Sequence, residues 1–263
     1  MTSKQSLIHP TAIIEEGVEL GDGVTVGPYA HIMSGAKIGA RSKIHSHVVI
    51  WGACTMGEDN EIFPFCTLAP PPQIIGDLSP EGKVVIGNKN IIRERVEIHR
   101  GSKKENLLTS VGNENYIMSN VHIAHDCVVG SHIVIASKTG LAGHSKISDF
   151  AVVSGGCGIS QFVRVGSYTF CAGHTRFEKD LPPFLCAKEF SEVTGPNLVG
   201  MKRAGFSTED IRVVKEIYKG LYVEKGLYRE QLEKLKERFA GQAVFETFYT
   251  FVTASKVGIM RNA

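Results

Sequence analysis

Aliphatic or sulfur-bearing residues recur at every sixth position over most of the chain, and we call each of them an anchor. One run of anchors spans residues 8–68 and returns over 86–98, and a second run, shifted in phase by one residue, spans 111–171. A period of six matches neither the 3.6-residue turn of a helix nor the alternation of a long amphipathic strand. Fixed short periods are typical of solenoids. The pattern therefore predicts short parallel strands wound into a β-solenoid.

Two further positions of each hexapeptide are restricted to a few residue types. The residue four places after an anchor is usually small or apolar, as at Ala30 and Cys127, and glycine often follows the anchor directly, as at Gly27 and Gly130. We expect the anchor and the small residue to point inward, and glycine to suit the tight corners because it tolerates unusual backbone angles. Three hexapeptides then make one triangular coil, so residue n + 18 lies above residue n at the strand spacing of about 4.8 Å.

Two segments interrupt the period, and a different pattern follows it. Residues 69–85 and 99–110 are rich in proline, glycine or charge, so they are expected to loop out of the prism. Such loops are often functional, although tolerated surface insertions are the alternative. Beyond the repeats the spacing of apolar residues becomes helical, and Ser207 predicts an N-cap. We predict a mainly β domain over residues 1–190 with two inserted loops, followed by a small α-helical C-terminal domain over residues 191–263.

Composition narrows the class of protein. The 263 residues are 43% hydrophobic and 21% charged with a formal net charge of +2, which is ordinary for a globular protein and does not indicate nucleic-acid binding. The sequence contains no N-terminal apolar segment and no run of membrane-spanning length, so a cytoplasmic protein is expected. The six cysteines form no CxxC pair, which favours reduced thiols. Five of them occupy inward positions of the repeat and are expected in the core: Cys54, Cys66, Cys127, Cys157 and Cys171.

The segment NVHIAHDCVVG carries the candidate chemistry. It places His122, His125 and Asp126 in an otherwise apolar run. Three interpretations are open. The histidines could only hydrogen-bond between coils or subunits, or they could bind zinc, as three histidines do at the trimer interface of γ-class carbonic anhydrases. In the third interpretation neutral His125 takes a proton from a hydroxyl while Asp126 orients its ring.

The 18-residue coil places further groups beside this segment. Gly143 lies one coil above His125 with His144 next to it, and Gln161 lies two coils above. These residues are expected to form a vertical stripe along one outward corner. The unhindered backbone N–H of Gly143 suits an oxyanion, so a base and an oxyanion donor at one strand spacing fit acyl transfer to an alcohol. The stripe becomes a cleft if a second prism packs against it, and loop 69–85 is a candidate for the second wall.

Five segments together resemble one family of hexapeptide-repeat transferases: HIAHDCVVG, LAGHSKISDFA, GISQF, VEIHRGS and GPNLVGMKRAGF. Over essentially its whole length the chain is similar to the acyl-[acyl-carrier-protein]–UDP-N-acetylglucosamine O-acyltransferases, which begin lipid A synthesis. The resemblance implies a left-handed parallel β-helix, an exception to the usual right-handed crossover, assembled as a homotrimer. It also implies an acyl donor carried on the phosphopantetheine of acyl carrier protein, UDP-N-acetylglucosamine as acceptor, and no cofactor or metal.

The same resemblance implies roles for individual residues. His125 matches the general base, Asp126 its partner and Gly143 the oxyanion donor. Gly173 matches the position that ends the acyl groove, and an open glycine there implies room for a chain of about fourteen carbons. Substrate-binding positions of the family are matched by Gln73, His122, His144, Gln161, Asn197 and Arg203.

The chain departs from the family pattern at four positions. Ile74 and Gly76 occupy positions at which the family commonly has an acidic residue and a lysine. Val199 occupies the position of a family glutamate, and Ser160 occupies that of a family histidine. These changes leave the core chemistry in place and concern the recognition of the sugar and of the acyl chain. The sequence therefore leaves open whether a 3-hydroxyacyl chain is required and whether the 3-position of the sugar carries oxygen or nitrogen.

Overall fold

Three parallel sheets form the faces of a triangular prism in the computed structural model, which describes residues 7–262. The first face contains β1 (Leu7–Ile8), β4 (Thr25–Val26), β7 (Lys43–Ile44), β10 (Glu61–Ile62), β13 (Ile91–Ile92), β16 (Tyr116–Ile117), β19 (Val134–Ile135), β22 (Val152–Val153) and β25 (Phe170–Cys171). The second face contains β2 (Ile13–Ile14), β5 (His31–Ile32), β8 (Val49–Ile50), β11 (Thr67–Leu68), β14 (Glu97–Ile98), β17 (His122–Ile123), β20 (Gly140–Leu141), β23 (Gly158–Ile159) and β26 (Arg176–Phe177). The third face contains β3 (Glu19–Leu20), β6 (Lys37–Ile38), β9 (Cys54–Met56), β12 (Lys83–Ile86), β15 (Leu108–Val111), β18 (Val128–Val129), β21 (Lys146–Ile147) and β24 (Arg164–Val165).

The chain moves to the next face after each strand, which creates three vertical corners. The first corner joins the first face to the second, the second corner joins the second face to the third, and the third corner leads back to the first face. His125 lies in the second corner, between β17 and β18. Gly173 lies in the first corner, between β25 and β26, and Tyr168 lies in the third, between β24 and β25.

The anchors form the core, as the six-residue period predicted. Every anchor from Val26 onward is buried, whereas Ile8, in the lowest described coil, is 43% exposed. Burying each of these aliphatic side chains contributes about 1.5–3 kcal/mol, so the repeated pattern is the main source of stability. The five cysteines expected in the core are buried and free, and Cys186 is a half-buried free thiol.

The corners differ from the sequence-based expectation about glycine. In three successive coils of the second corner, Asp126, His144 and Phe162 adopt the left-handed backbone conformation, with φ of 60°, 64° and 65°. Glycine does so in the lower coils of this corner, at Gly17 and Gly35. Such angles are uncommon outside glycine. A glycine that follows an anchor is required for steric reasons. A Cβ on Gly27, for example, would lie only 2.8 Å from the backbone nitrogen of Ser46 on the next coil. A glycine that follows an anchor therefore permits close approach between coils and does not provide the unusual φ.

Each loop increases the number of residues that separate two paired positions on neighbouring coils. Uninterrupted coils pair residues 18 apart, as in His122 with Gly140. Across the first loop Thr67 pairs with Glu97, 30 residues later, and across the second loop Glu97 pairs with His122, 25 residues later. Both loops end earlier than the sequence suggested, because β12 begins at Lys83 and β15 at Leu108. Both strands extend a regular ladder on the third face, which explains their early start.

The C-terminal part begins with a hairpin and continues as helices. Strand β27 (Leu185–Lys188) joins the first face, and β28 (Glu192–Pro196) returns antiparallel to it. The helices are α1 (Leu198–Arg203), α2 (Thr208–Tyr218), α3 (Tyr228–Phe239) and α4 (Ala243–Thr253), and a π-helical turn at Lys219–Val223 extends α2. Ser207 caps α2, and its side chain accepts a hydrogen bond from the Asp210 amide in a capping box. The strand β28 thus lies inside the range predicted to be helical.

A buried ion pair joins the helices to the prism. The guanidinium of Arg164 donates to the fully buried carboxylate of Asp180 at 2.6 and 2.8 Å, and it also donates to the backbone oxygen of Phe251 in α4. The same guanidinium lies 4.3 Å from the centre of the Phe251 ring. This contact fixes the last helix against the top coils.

Among the helices of residues 7–262, none has the length and apolar character needed to cross a membrane. The cytoplasmic location stays a prediction.

Candidate active site

A histidine and a carboxylate form a buried pair in the second corner. The ring of His125 donates from Nδ1 to Oδ2 of Asp126 at 2.8 Å, and the two residues are 8% and 4% exposed. Because an ionised carboxylate only accepts, this bond fixes the neutral ring with its proton on Nδ1 and its lone pair on Nε2. A ring oriented in this way can accept a proton at Nε2.

The carboxylate of Asp126 is held by the second loop. Its Oδ1 accepts a hydrogen bond from the Ser102 amide at 2.9 Å, and its Oδ2 accepts one from the Ser102 hydroxyl at 2.5 Å. The Asp126 amide donates to the Thr109 hydroxyl at 2.8 Å. Hydrogen bonds of this kind restrict the orientation of the carboxylate. Sequence reasoning missed Ser102 because the second loop places it 24 residues before Asp126, a separation that does not follow the 18-residue coil. It also missed Thr109, although β15 pairs with β18 in the regular 18-residue register.

Gly143 lies directly above His125, as the coil length predicted. A Cβ at position 143 would lie 2.7 Å from Nε2 of His125, so only glycine fits against this ring. Within residues 7–262 the Gly143 N–H donates to no acceptor of the chain, whereas its carbonyl accepts from the Phe162 amide at 3.3 Å. A free backbone N–H beside an oriented imidazole is a combination that suits acyl transfer.

His144 completes the corner. Its ring stands edge-on to His125 with centroids 5.1 Å apart, and it stacks on Phe162 at 4.5 Å. Its Nδ1 lies 2.6 Å from a carboxylate oxygen of Glu105, a second-loop residue that sequence reasoning also missed. Gln161, next to Phe162, has an exposed side chain. The second corner therefore brings together His125, Asp126, Gly143, His144 and Gln161.

His122 belongs to a second cluster, one strand earlier on the second face. Its Nδ1 lies 3.3 Å from Oε2 of Glu97, and its ring centroid lies 5.0 Å from that of His99. His99 is buried, and this burial lowers the pKa of its imidazole. Above His122 the outward positions of the second face are Gly140 and Gly158, and they line a groove of about 440 Å³ that reaches Arg176.

Four predicted site residues lie outside this group. Asn197 caps α1: its Oδ1 accepts from the Gly200 amide at 3.0 Å, and its Nδ2 donates to the Tyr168 oxygen at 2.9 Å, in the third corner. Arg203, at the end of α1, and Gln73, in the first loop, are exposed. Gly173 is exposed in the first corner, where a Cβ would make only ordinary contact, 3.4 Å from the Gly155 oxygen. One chain therefore does not bring Asn197 or Gly173 to the second corner, whereas the first loop, which carries Gln73, leaves the prism at that corner between β11 and β12.

Among residues 7–262, two groups of side chains offer three potential metal ligands each. One is His125, Asp126 and His144, and the other is Glu97, His99 and His122. In the first group the hydrogen bonds to Ser102 and Glu105 already account for the orientation of the side chains. In the second group a buried ring nitrogen, Nε2 of His99, has no hydrogen-bond partner among the described residues.

The prism of hexapeptide coils and the histidine–carboxylate pair in its corner define a hexapeptide-repeat transferase. Consistent with this class, a family model for the bacterial transferase hexapeptide matches residues 17–52. A second family model, described as UDP N-acetylglucosamine O-acyltransferase, domain 2, matches residues 180–260. Two curated relatives, from Burkholderia lata and Thermodesulfovibrio yellowstonii, are each 40% identical to the chain over 97% of its length and 99% of theirs. Both carry the name acyl-[acyl-carrier-protein]–UDP-N-acetylglucosamine O-acyltransferase.

Solved structures agree with these relatives. A UDP-N-acetylglucosamine acyltransferase from Francisella novicida is 38% identical and superposes with a TM-score of 0.93, covering 97% of this chain and 94% of its own. The corresponding enzyme from Arabidopsis is 28% identical with a TM-score of 0.81, covering 97% of this chain and 100% of its own. The chain belongs to the acyl-[acyl-carrier-protein]–UDP-N-acetylglucosamine O-acyltransferase family. The predicted left-handed parallel β-helix with a small helical C-terminal domain is confirmed.

Proposed function

We propose that the protein transfers an acyl chain from the phosphopantetheine of acyl carrier protein to the 3-hydroxyl of UDP-N-acetylglucosamine, the first step of lipid A biosynthesis. Family membership supports the substrates. The observation that carries the chemistry is the position of Gly143 over the ring of His125, whose Nδ1 is bonded to Asp126. Membership of this family also favours acyl transfer over the carbonic-anhydrase-like alternative.

In the proposed reaction His125, Gly143 and Asp126 each have one role. Nε2 of His125 takes the proton of the sugar 3-hydroxyl while the hydroxyl oxygen attacks the thioester carbonyl carbon. The carbonyl oxygen becomes an oxyanion and accepts a hydrogen bond from the Gly143 N–H. The tetrahedral intermediate then collapses, the carbon–sulfur bond breaks, and the sulfur takes the proton from His125 and leaves as the thiol of phosphopantetheine. Asp126 stays ionised and stabilises the imidazolium. The proposal needs no cofactor or metal in this step.

A homotrimer would complete the site. Asn197 lies at the third corner of the prism and His125 at the second, so one chain separates the two residues. Packing the third corner of one chain against the second corner of the next would bring Asn197 and the exposed Arg203 beside His125. A guanidinium in this position suits the pyrophosphate of the nucleotide. His122, His144, Gln161 and Gln73 are the remaining proposed substrate contacts.

The acyl chain is proposed to lie along the second face. This face extends from the second corner, with His125, to the first corner, with Gly173, and its outward glycines Gly140 and Gly158 leave a groove. A Cβ at 173 would meet no close neighbour, so the size of this residue would limit the chain. By analogy with the family, we propose a chain of about fourteen carbons. Each methylene in an apolar groove changes discrimination by roughly 1–3 kcal/mol, so the groove can select chain length.

Acyl carrier protein is acidic, and basic residues of the second loop are candidates to receive it. Lys103 and Lys104 are exposed, and Lys103 lies 3.9 Å from Glu81. Arg100 is half-buried, and its guanidinium donates a hydrogen bond to the backbone oxygen of Leu78 in the first loop, so it is less available to a partner. We therefore propose the two lysines, and not Arg100, as docking residues, because exposed charges steer association.

The test is an assay of the purified protein with UDP-N-acetylglucosamine and a panel of acyl carrier thioesters of different length, with and without a 3-hydroxyl. The O-acylated nucleotide is the expected product, with the fastest turnover near fourteen carbons. His125→Ala is expected to reduce kcat by on the order of 100-fold or more, as for loss of a general base. Full activity of this variant would contradict the assignment of the base. Gly173→Met should shift the preferred donor to shorter chains.

A further inference from the structure

His99 presents a buried nitrogen without a partner. The residue is 5% exposed, and its Nδ1 lies 2.7 Å from the backbone oxygen of Pro71. Since a carbonyl oxygen only accepts, Nδ1 carries the proton and Nε2 of the neutral ring carries a lone pair. This Nε2 forms no hydrogen bond with any described residue. A buried acceptor left in this way is costly, so the arrangement indicates a ligand.

Two further side chains with potential ligand atoms lie close to that lone pair. Oε2 of Glu97 lies 3.8 Å from Nε2 of His99 and 3.3 Å from Nδ1 of His122. One ligand atom from each of the three residues lies within 4.8 Å of the others. Glu97 and His122 are directly opposite each other on the neighbouring strands β14 and β17, and His99 follows β14. The register of the coils therefore fixes all three groups.

The spacing matches a tetrahedral metal site. With zinc–nitrogen and zinc–oxygen bonds of about 2.0–2.1 Å, adjacent ligand atoms of a tetrahedron lie about 3.3 Å apart. The two distances to Oε2 of Glu97, 3.3 Å from His122 and 3.8 Å from His99, are close to this value. Metal-binding histidines also typically donate their other ring N–H to a backbone carbonyl or a carboxylate, as His99 does to Pro71. We propose that Glu97, His99 and His122 bind a divalent transition-metal ion of the zinc class.

The ligand set limits the type of ion. Two imidazoles and one carboxylate suit Zn²⁺ or Co²⁺ better than the oxygen-seeking Mg²⁺ and Ca²⁺. The side chain of His122 is 35% exposed and that of Glu97 is 49% exposed, so the fourth position opens to solvent and takes water. The exposed His132–Glu114 pair, at 3.5 Å, has a similar spacing without a buried third ligand, and it is not part of the proposal.

Metal binding would oppose acyl transfer. An ion on His122 occupies the ring that the proposed function assigns to substrate binding, so Zn²⁺ acts as an inhibitor and not as a cofactor. This consequence rests on the proposed function, whereas the metal site itself does not.

The test is a titration of the full-length, chelator-treated protein with Co²⁺, followed by the visible absorption of tetrahedral cobalt. About one equivalent per chain is expected to bind, and Zn²⁺ should displace it, because tetrahedral sites of this type prefer zinc. Glu97→Gln should weaken binding by at least roughly 10–100-fold, the loss found even for residues that only support a ligand. The readout needs no substrate, so a failed transferase assay would leave it unaffected.

Two further variants make the result decisive. Glu114→Gln, in the matched exposed pair, should bind Co²⁺ like the unmodified protein. His144→Gln tests the other group of potential ligands and should also leave Co²⁺ binding unchanged. The proposal is overturned if the unmodified protein binds no Co²⁺, if Glu97→Gln binds it equally well, or if only His144→Gln removes it.

Discussion

Nδ1 of His125 lies 2.8 Å from Oδ2 of Asp126, the residue that follows it in the sequence. Adjacent residues rarely face each other in regular structure, and here the left-handed backbone of Asp126, with φ of 60°, turns its carboxylate back to the ring. The side chain is then held by two hydrogen bonds from Ser102. The corner conformation and the second loop together orient the imidazole.

Asp126→Asn is expected to reduce kcat/KM by on the order of 100-fold to 10,000-fold, the range for loss of general-base catalysis. The amide keeps the shape of the carboxylate, but it can donate to the ring and favour the wrong tautomer. Steady-state kinetics of acyl transfer measures the loss. Asp59→Asn is the matched control, because Asp59 has the same corner conformation with φ of 58° and contacts only Arg41 among the described side chains. Equal activity of the two variants would contradict the role of Asp126.

Gly143→Ala is expected to abolish most activity without unfolding the protein. The new Cβ would lie 2.7 Å from Nε2 of His125, so the ring must move away from the position in which it accepts a proton. A displacement of about 1 Å at a reacting group can reduce the rate about 100-fold. Activity and melting temperature are measured together. An active variant would show that the ring tolerates the displacement and that the stacking is not needed.

The sequence predicted those parts of the site that follow an uninterrupted coil. His125 and Gly143 are 18 residues apart with no loop between them, so their stacking followed from the period alone. Ser102 and Glu105 contact residues 24 and 39 positions later, across the second loop, and no period predicts such distances. The pairing of Glu97 with His122 could not be predicted for the same reason, because the second loop lengthens that coil to 25 residues.

Thiol chemistry provides a test of the core. Burial raises the pKa of the Cys54 thiol to about 12 and that of the Cys127 thiol to about 11. A raised thiol pKa means that less of the reactive thiolate is present at pH 8. Ellman's reagent is therefore expected to modify at most Cys186 in the native protein, and slowly, because its pKa is also raised to about 11. All six thiols should react in denaturant. Rapid modification of several native thiols would contradict the packing of the coils.

The contact between Arg164 and Asp180 is expected to contribute strongly to the stability of the protein. Asp180 is fully buried and accepts two hydrogen bonds from the guanidinium, so Asp180→Ala leaves a half-buried charge without its partner. Removing one member of a buried pair costs roughly 3–5 kcal/mol in the free energy of unfolding. Glu209→Ala is the control, because its pair with Arg212 has similar distances but is exposed, and such pairs contribute about 0–1 kcal/mol. Denaturant unfolding at one protein concentration compares the two variants. If both lose the same small amount, the helices are not held to the prism by this ion pair, and the aromatic contact of Arg164 with Phe251 becomes the group to remove next.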